Sequence, residues 1–308
     1  MTKKDRKPEI ARVDTATLDV GLFKLRSKNA DPVKGQVLKK QRDDLLIEYA
    51  STYALNDVDL RIFVAALSLA EIQRDKDLFK KPKEKDKPGT QLELFDDFKT
   101  TGEATGMEAG YALISAYELA TAAGLGWGSR QVKRISDSLT RMSNVRMTMR
   151  MEDRVMSGAN MLSFAHLESK KPRDANIAIA ISPHFAKALL GEARMYVQYS
   201  LTEMHQLQHP ASVLIHSTMT SRLSLSSKRP VRTTTIKIDT LIDAIYEPTD
   251  SKAKYRDRRR NIKPALEELN NLPDWNVELD KDTLKITIQR TLHESQRKPK
   301  SVTKRKSG

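Results

Sequence analysis

With 308 residues, 54 lysines and arginines against 40 aspartates and glutamates, and no cysteine, the chain has the length for about two domains of ~150 residues each. The missing cysteines exclude a disulfide framework and a cysteine-ligated zinc finger and fit a reducing cytoplasm, while the net charge of +14 favours a polyanionic partner. No stretch approaches the ~20 apolar residues that cross a bilayer, and the charged opening residues lead into no apolar signal segment, so a soluble, cytoplasmic protein without membrane contact is expected.

Residues 1–42 hold 12 basic and 5 acidic residues with little periodicity and read as a flexible basic arm. Residues 56–74 (NDVDLRIFVAALSLAEIQR) predict a long apolar helix. The lysine- and proline-rich 75–88 predicts a solvated loop, and 91–95 (QLELF) reads equally as a short strand or a docking segment. Then come a strand at 111–115 (YALIS), a helix at 116–123, a glycine-rich turn, and a basic helix at 129–142 with Ser129 as its N-cap. Two alternating segments, 144–151 (NVRMTMRM) and 160–167 (NMLSFAHL), predict a hairpin around the turn-prone Glu152, Asp153, Ser157 and Gly158; the methionines of this region read as packing. Residues 176–181 (NIAIAI), 184–190 and 195–199 (MYVQY) read as strand, short helix and strand that extend the first sheet or join two domains.

The same events recur further on. Residues 211–225 predict a helix, 232–238 a strand, 239–246 a second helix, 251–272 a basic helix, and 275–279 with 283–289 a hairpin. Pro264 removes the amide that would bond to the carbonyl of Arg260, which predicts a kink or a restart. Helix, strand, helix, basic helix, hairpin is the order of a winged-helix domain, and here it occurs twice. The expected fold is α+β with two tandem winged-helix domains (winged helix-turn-helix), at 43–182 and 183–290. A basic flexible arm (1–42) precedes them and a basic disordered tail (291–308, with Arg290 already read as part of it) follows.

The two basic helices are the candidate DNA-binding elements. In the first, Val132, Ile135, Leu139 and Met142 form an apolar stripe. Arg130, Arg134 and Arg141 form the opposite one, with Asp137 among them and Lys133 at its border. Guanidinium forks on such a stripe can take guanine O6 and N7, while lysines hold phosphates; an ordinary solvated amphipathic face is the bland alternative. In the second, Lys252, Lys254, Arg256, Arg258, Arg259, Arg260 and Lys263 stand with one acidic residue within thirteen positions. Arg256, Arg260 and Lys263 share a stripe, and Ile262, Ala265, Leu266, Leu269 and Leu272 continue it toward the core. Like charges four apart repel, so this density points to phosphate or base contact.

Nothing gathers a catalytic or metal site. His205 and His209 are four apart without the glutamate or third ligand of a zinc motif and read as a helix end. Gly124, Gly126 and Gly128 lack the lysine of a phosphate loop and read as a turn between helices. Serines, histidines and aspartates form no nucleophile motif. No catalytic residue, metal or cofactor is expected.

The segments 57–70 (DVDLRIFVAALSLA), 91–95 (QLELF), 115–125 (SAYELATAAGL), 132–142 (VKRISDSLTRM), 197–207 (VQYSLTEMHQL) and 256–269 (RDRRRNIKPALEEL) together resemble the replication initiator protein C of IncQ-type broad-host-range plasmids. The likeness runs over about residues 57–284. It implies an iteron-binding initiator of theta-type replication that binds direct repeats in double-stranded origin DNA. It further implies opening of the adjacent A·T-rich duplex and delivery of the site to a plasmid helicase and primase, with self-association on the repeats left open. The two basic helices match the family's recognition-helix positions. A tandem winged-helix transcriptional repressor is the alternative, distinguished by an operator at a promoter in place of a repeat array at an origin. A rolling-circle nickase would need a His-hydrophobic-His pair, which none of the six histidines forms.

Overall fold

A computed structural model describes residues 9–25, 36–42, 45–74, 110–151, 154–166, 177–182, 184–186, 196–226 and 228–292. The core of the first half is a helix, α2 (Asp57–Arg74), following β1 (Ile10–Asp14), α1 (Thr15–Asp19), β2 (Gln36–Arg42) and β3 (Leu45–Ser51). Its start is fixed by a reciprocal cap: the Asn56 side chain accepts from Val58 N and Asp59 N, and Asp59 accepts from Asn56 N. Leu60, Ile62, Phe63, Val64, Ala65, Ala66 and Leu67 are all buried, as expected of a helix that is apolar on every side. Around it pack β4 (Gly110–Ile114), α3 (Ala116–Ala122) and α4 (Ser129–Ser143). The Ser115–Glu118 capping box starts α3. Gly124, at a φ of 66°, ends it in the left-handed conformation that glycine adopts without steric cost.

The hairpin after α4 differs from the sequence expectation. β5 (Val145–Met151) pairs not with 160–167 but with β6 (Arg154–Asn160), across Glu152 and Asp153. Ser157 and Gly158, read as a turn, lie inside β6, where the register shift between Met147 and Thr148 leaves Gly158 as the extra residue of a bulge. β7 (Leu162–His166) then leaves for another sheet, pairing with β8 (Ile177–Ile181), whose five residues are all buried. β8 also pairs with β4, giving the order β4-β8-β7. The segment NIAIAI thus extends the first sheet as its central strand.

The second half repeats this topology. β9 (Tyr196–Ser200) and α5 (Leu201–Gln206) lead into α6 (Pro210–Arg222), a second helix buried along nearly its whole length. There follow β10 (Val231–Lys237), α7 (Ile238–Ile245), α8 (Lys252–Asn270), β11 (Trp275–Asp280) and β12 (Lys285–Thr291). The sheet order is β10-β12-β11, so in both halves the first strand pairs with the third and the third with the second. α8 runs as one element through Pro264, so of the kink or restart expected there the restart does not occur. No described helix is long and apolar enough to cross a membrane.

The predicted arm is the largest correction. Within 1–42, β1 pairs antiparallel with β9, and Ala11, Val13, Ala16 and Leu18 are buried. β2 and β3 join β5 and β6 in a four-stranded sheet of order β2-β3-β5-β6. Three of the described cations of this stretch have partners in other elements: Lys39 meets Glu48 at 2.7 Å, Lys40 meets Asp19 at 2.5 Å, and Lys24 donates to Asp243 O at 3.0 Å. Residues 23–25 touch both halves, with Lys24 N donating to Leu55 O and Leu25 N to Ile245 O. Arg290, assigned to the tail, is a buried residue of β12. The loop at 75–88, QLELF and the tail from 293 on lie outside the described residues.

A polar network ties α5 to what surrounds it. On the α2 side, Arg61 donates to the carbonyls of Met204 and Leu207, and His205 Nε2 lies 2.8 Å from Ala122 O at the end of α3. A Cβ on Gly124 would stand 2.6 Å from the His205 ring, so glycine is also needed for this close approach. On the α6 side, Glu203 accepts from His216 Nε2 at 2.6 Å and from Trp275 Nε1 at 3.1 Å, with Arg290 at 3.7 Å. Burial raises the Glu203 carboxyl, but His216, Arg290 and Trp275 outweigh it and hold its pKa down at about 2. Burial lowers the pKa of His216, consistent with a neutral ring that donates from Nε2.

A carboxylate held below its ordinary value stabilises the fold above pH ~4.5, and the stabilisation is lost as pH falls through that value toward the folded one. Glu203→Gln is therefore expected to cost about 2 to 3 kcal/mol near neutrality. Thermal melts of the variant should decline less than wild type between about pH 5 and pH 3. Parallel declines would mean that the acid sensitivity resides elsewhere.

Candidate nucleic-acid interface

Four of the eight described helices follow the dipole rule; α1, α6 and the two basic helices carry no acidic residue in the first turn. α2, α3, α5 and α7 each carry an acidic residue in the first turn, where negative charge meets the positive end of the macrodipole. α4 and α8 carry none there. Arg130 opens α4, and Lys252 and Lys254 open α8 behind the Ser251 cap. Cations crowding these N-termini are unfavourable in the free protein and are relieved by an anion.

In α4 the buried face is Ile135, Ser138, Leu139 and Met142, and Arg130, Lys133, Arg134, Asp137 and Thr140 are exposed. Two details differ from the sequence stripe. Val132 is 38% exposed and lies at the edge of the core face. Lys133 lies in the middle of the exposed face, as 3.6 residues per turn requires, and Arg141 is only partly exposed. Arg141 is engaged: its Nη2 lies 2.7 Å from Asp59 Oδ1 and its Nε 3.1 Å from Oδ2. Asp59, itself fully buried, also accepts from Ser138 Oγ at 2.6 Å. Arg141 thus fixes α4 on α2 and leaves the candidate DNA face. Ser129 does not cap α4 either; Gly128 occupies the cap position and no side chain bonds there.

In α8 the stripe Ile262, Ala265, Leu266, Leu269 faces the core as predicted, and Arg258 belongs to it. Arg258 is buried, donates to Glu247 O and lies over the Tyr246 ring at 4.9 Å. It is a structural residue. The spacing carried the signal, since Arg258 stands four before Ile262 and seven before Ala265. Arg259 makes a two-pronged contact with Asp239 at 2.6 and 2.8 Å and lies over Tyr255 at 5.6 Å, which raises its pKa. Arg260 pairs with Asp257 one turn earlier on the open surface, a contact of small net worth that a phosphate can replace. Lys252, Lys254, Arg256 and Lys263 are exposed. The outward cations are therefore Arg130, Lys133 and Arg134 on α4, and Lys252, Lys254, Arg256, Arg260 and Lys263 on α8.

Each basic helix lies beside a two-stranded arm. α4 packs on β7, with Ser136 Oγ 3.3 Å from His166 Nε2, and α8 packs on β11. The β7–β8 connection, 167–176, carries Lys170, Lys171 and Arg173 and lies outside the described residues. His205 and His209, weighed above as a metal pair, serve the backbone: the first at Ala122 O, the second as the N-cap of α6, accepting from Ala211 N.

The sequence reasoning passed over Tyr117 and Trp127. They are 37% and 44% exposed, with ring centroids 5.3 Å apart and planes at 76°. Trp127 belongs to the glycine-rich turn that leads into α4. A tryptophan flanked by glycines between two helices was the available signal.

No curated protein sequence matches the chain significantly. Among solved structures, domains 2 and 3 of RctB share the fold at a TM-score of 0.52 and 12% identity, over 92% of this chain and 98% of that one. A selenomethionine derivative of the same two domains gives 0.51 and 12%, over 90% and 98%. The profile of the replication protein C (RepC) family matches residues 9–290. The chain belongs to the replication protein C family.

Proposed function

We propose that this protein is a plasmid replication initiator that binds duplex DNA at direct repeats of the origin through two winged-helix units. α4 and α8 are the recognition helices, and the β7–β8 and β11–β12 pairs are the wings. The observation that carries this is the repeated topology: twice a buried helix, a strand, a short helix, an outward-facing basic helix and a closing pair of strands fold with the same sheet order, the first unit carrying the β5–β6 hairpin between its basic helix and that pair. Membership of the replication protein C family supports a role in replication. Promotion of local opening and recruitment of a plasmid helicase and primase rest on the family resemblance. So do action in the cytoplasm without nicking or nucleotide hydrolysis, and assembly of several copies on the repeats.

Arrays of direct repeats at the plasmid origin are the DNA to test. If ~8 phosphates are neutralised, log K should fall with log salt at a slope near −7. With each recognition helix in its own major groove on one face of the duplex, the two contact centres should lie ~10.5 bp apart. Hydroxyl-radical footprints of Arg130→Ala with Arg134→Ala, and of Arg256→Ala with Arg260→Ala, should lose opposite halves of the repeat. Each lost bidentate contact should remove ~1 to 3 kcal/mol of base discrimination. Two variants that lose the same half, or binding without salt dependence, would refute the tandem reading.

Arg141→Ala and Arg258→Ala should behave differently from these. Removing Arg141 strands the buried Asp59 carboxylate, which should lower stability by about 3 kcal/mol and shift the melting temperature. Arg134→Ala should leave the melt unchanged. An Arg141→Ala protein as stable as wild type would contradict the structural role.

A further inference from the structure

We propose that the cleft between residues 18–24 and helices α6 and α7 binds a small organic phosphate. The cavity measures about 280 Å³, and three separate elements line it. α6 gives Leu214, Thr218 and Arg222 at four-residue spacing, hence on one face, with Ser217 beside them. α7 gives Asp243, and the end of α1 with the turn after it gives Asp19 and Lys24. Gly21 makes that turn at a φ of 76°, in the left-handed region. A Cβ there would stand 3.1 Å from Lys24 Cε, so the glycine lets the lysine side chain lie back across the turn.

The hydrogen-bonding groups left over in this cleft are mainly donors, and they define the ligand. Both acids are already engaged. Asp19 accepts from Lys40 Nζ at 2.5 Å and from Arg222 Nε at 3.2 Å, on different oxygens, and Asp243 Oδ1 accepts from the Tyr255 hydroxyl at 3.0 Å. Lys24 gives one of its three protons to Asp243 O. Arg222 bonds through Nε alone among the described residues, which leaves its terminal nitrogens to donate. Ser217 is 2% exposed, and its buried hydroxyl has no hydrogen-bond partner. Two cations and a hydroxyl with protons to give fit an acceptor-rich anion, and a phosphate group presents three strong acceptor oxygens. Burial and the nearby Arg258 hold the Lys24 amine below its ordinary pKa, although Asp243 and Glu247 raise it; a bound anion offsets that deficit. The cavity is larger than a bare phosphate ion needs. Leu18, Phe23 and Leu214, all buried, supply the apolar wall for the carbon portion.

None of the lining residues belongs to α4 or α8, so the site is separable from the DNA reading. Calorimetric titration of the full chain with inorganic phosphate, a pentose phosphate and a nucleoside monophosphate tests it, with thermal melts alongside. The organic phosphates should bind saturably, more tightly than the inorganic ion, and raise the melting temperature as a ligand of the folded state does. Ser217→Ala removes a hydroxyl that bonds nothing in the free protein, so its melt should equal or exceed that of wild type, while affinity for the organic phosphates falls about tenfold. Arg222→Gln, which leaves Lys40 on Asp19, should weaken binding by at least as much. Arg256→Ala with Arg260→Ala should leave it unchanged, and excess duplex DNA should not displace the ligand.

Absence of saturable binding of the organic phosphates by the wild type would overturn the proposal. So would affinities that neither Ser217→Ala nor Arg222→Gln lowers. Binding abolished by the double arginine variant or by duplex DNA would assign the phosphate to the basic helices instead. Inorganic phosphate bound as tightly as the organic ones would overturn the ligand class.

Discussion

The placement of the first basic helix depends on one buried carboxylate. Asp59 closes the cap at the start of α2 and accepts from Ser138 and Arg141 of α4. A charge in that position is tolerable only when its lone pairs are filled, so α4 cannot rotate about its axis without leaving Asp59 unsatisfied. Because the apolar stripe of α4 is short, this polar contact fixes which cations face outward. Arg258 does the corresponding work for α8 by different chemistry, through a carbonyl and an aromatic ring. Each basic helix therefore has one arginine turned inward as its anchor.

The helices, and the repeat they form, were legible because their periodicity is local. The stripes of Ile135, Leu139, Met142 and of Ile262, Ala265, Leu266, Leu269 can be counted from spacing alone, and they face the core. What spacing does not reveal is where a cation's partner lies. Arg141 looks like any other guanidinium on its stripe until α2 brings Asp59 to it from 82 positions away. Lys39, Lys40 and Arg290 are similar cases, each partnered by a residue outside its own element. Strand pairing failed at a single glycine, since a bulge and a turn use the same residue and only the register separates them. Of the candidate site, the two helices were legible; the sorting of arginines into anchors and outward groups was not.

The two halves are joined by polar contacts as well as by apolar packing. Arg61 reaches two carbonyls from the first half, and Glu203 collects His216, Trp275 and Arg290 in the second, with α5 between them. Directional bonds of this kind fix relative angle better than an apolar surface does, because an imperfectly matched buried donor carries its whole desolvation cost. For a protein with two basic helices set on separate sheets, the angle between the halves determines how those two helices are placed relative to one another.

β1 pairs with β9, joining residues 10–14 to residues 196–200. During synthesis the first of these strands leaves the ribosome long before the second, so its edge amides have no partner until most of the chain has been made. The first half consequently cannot close on its own, and an edge left open is a template for the wrong strand, including one from a neighbouring nascent chain. Completion of the second half's leading segment is what ends that exposure, so the protein reaches its final fold as a whole chain and not one half at a time.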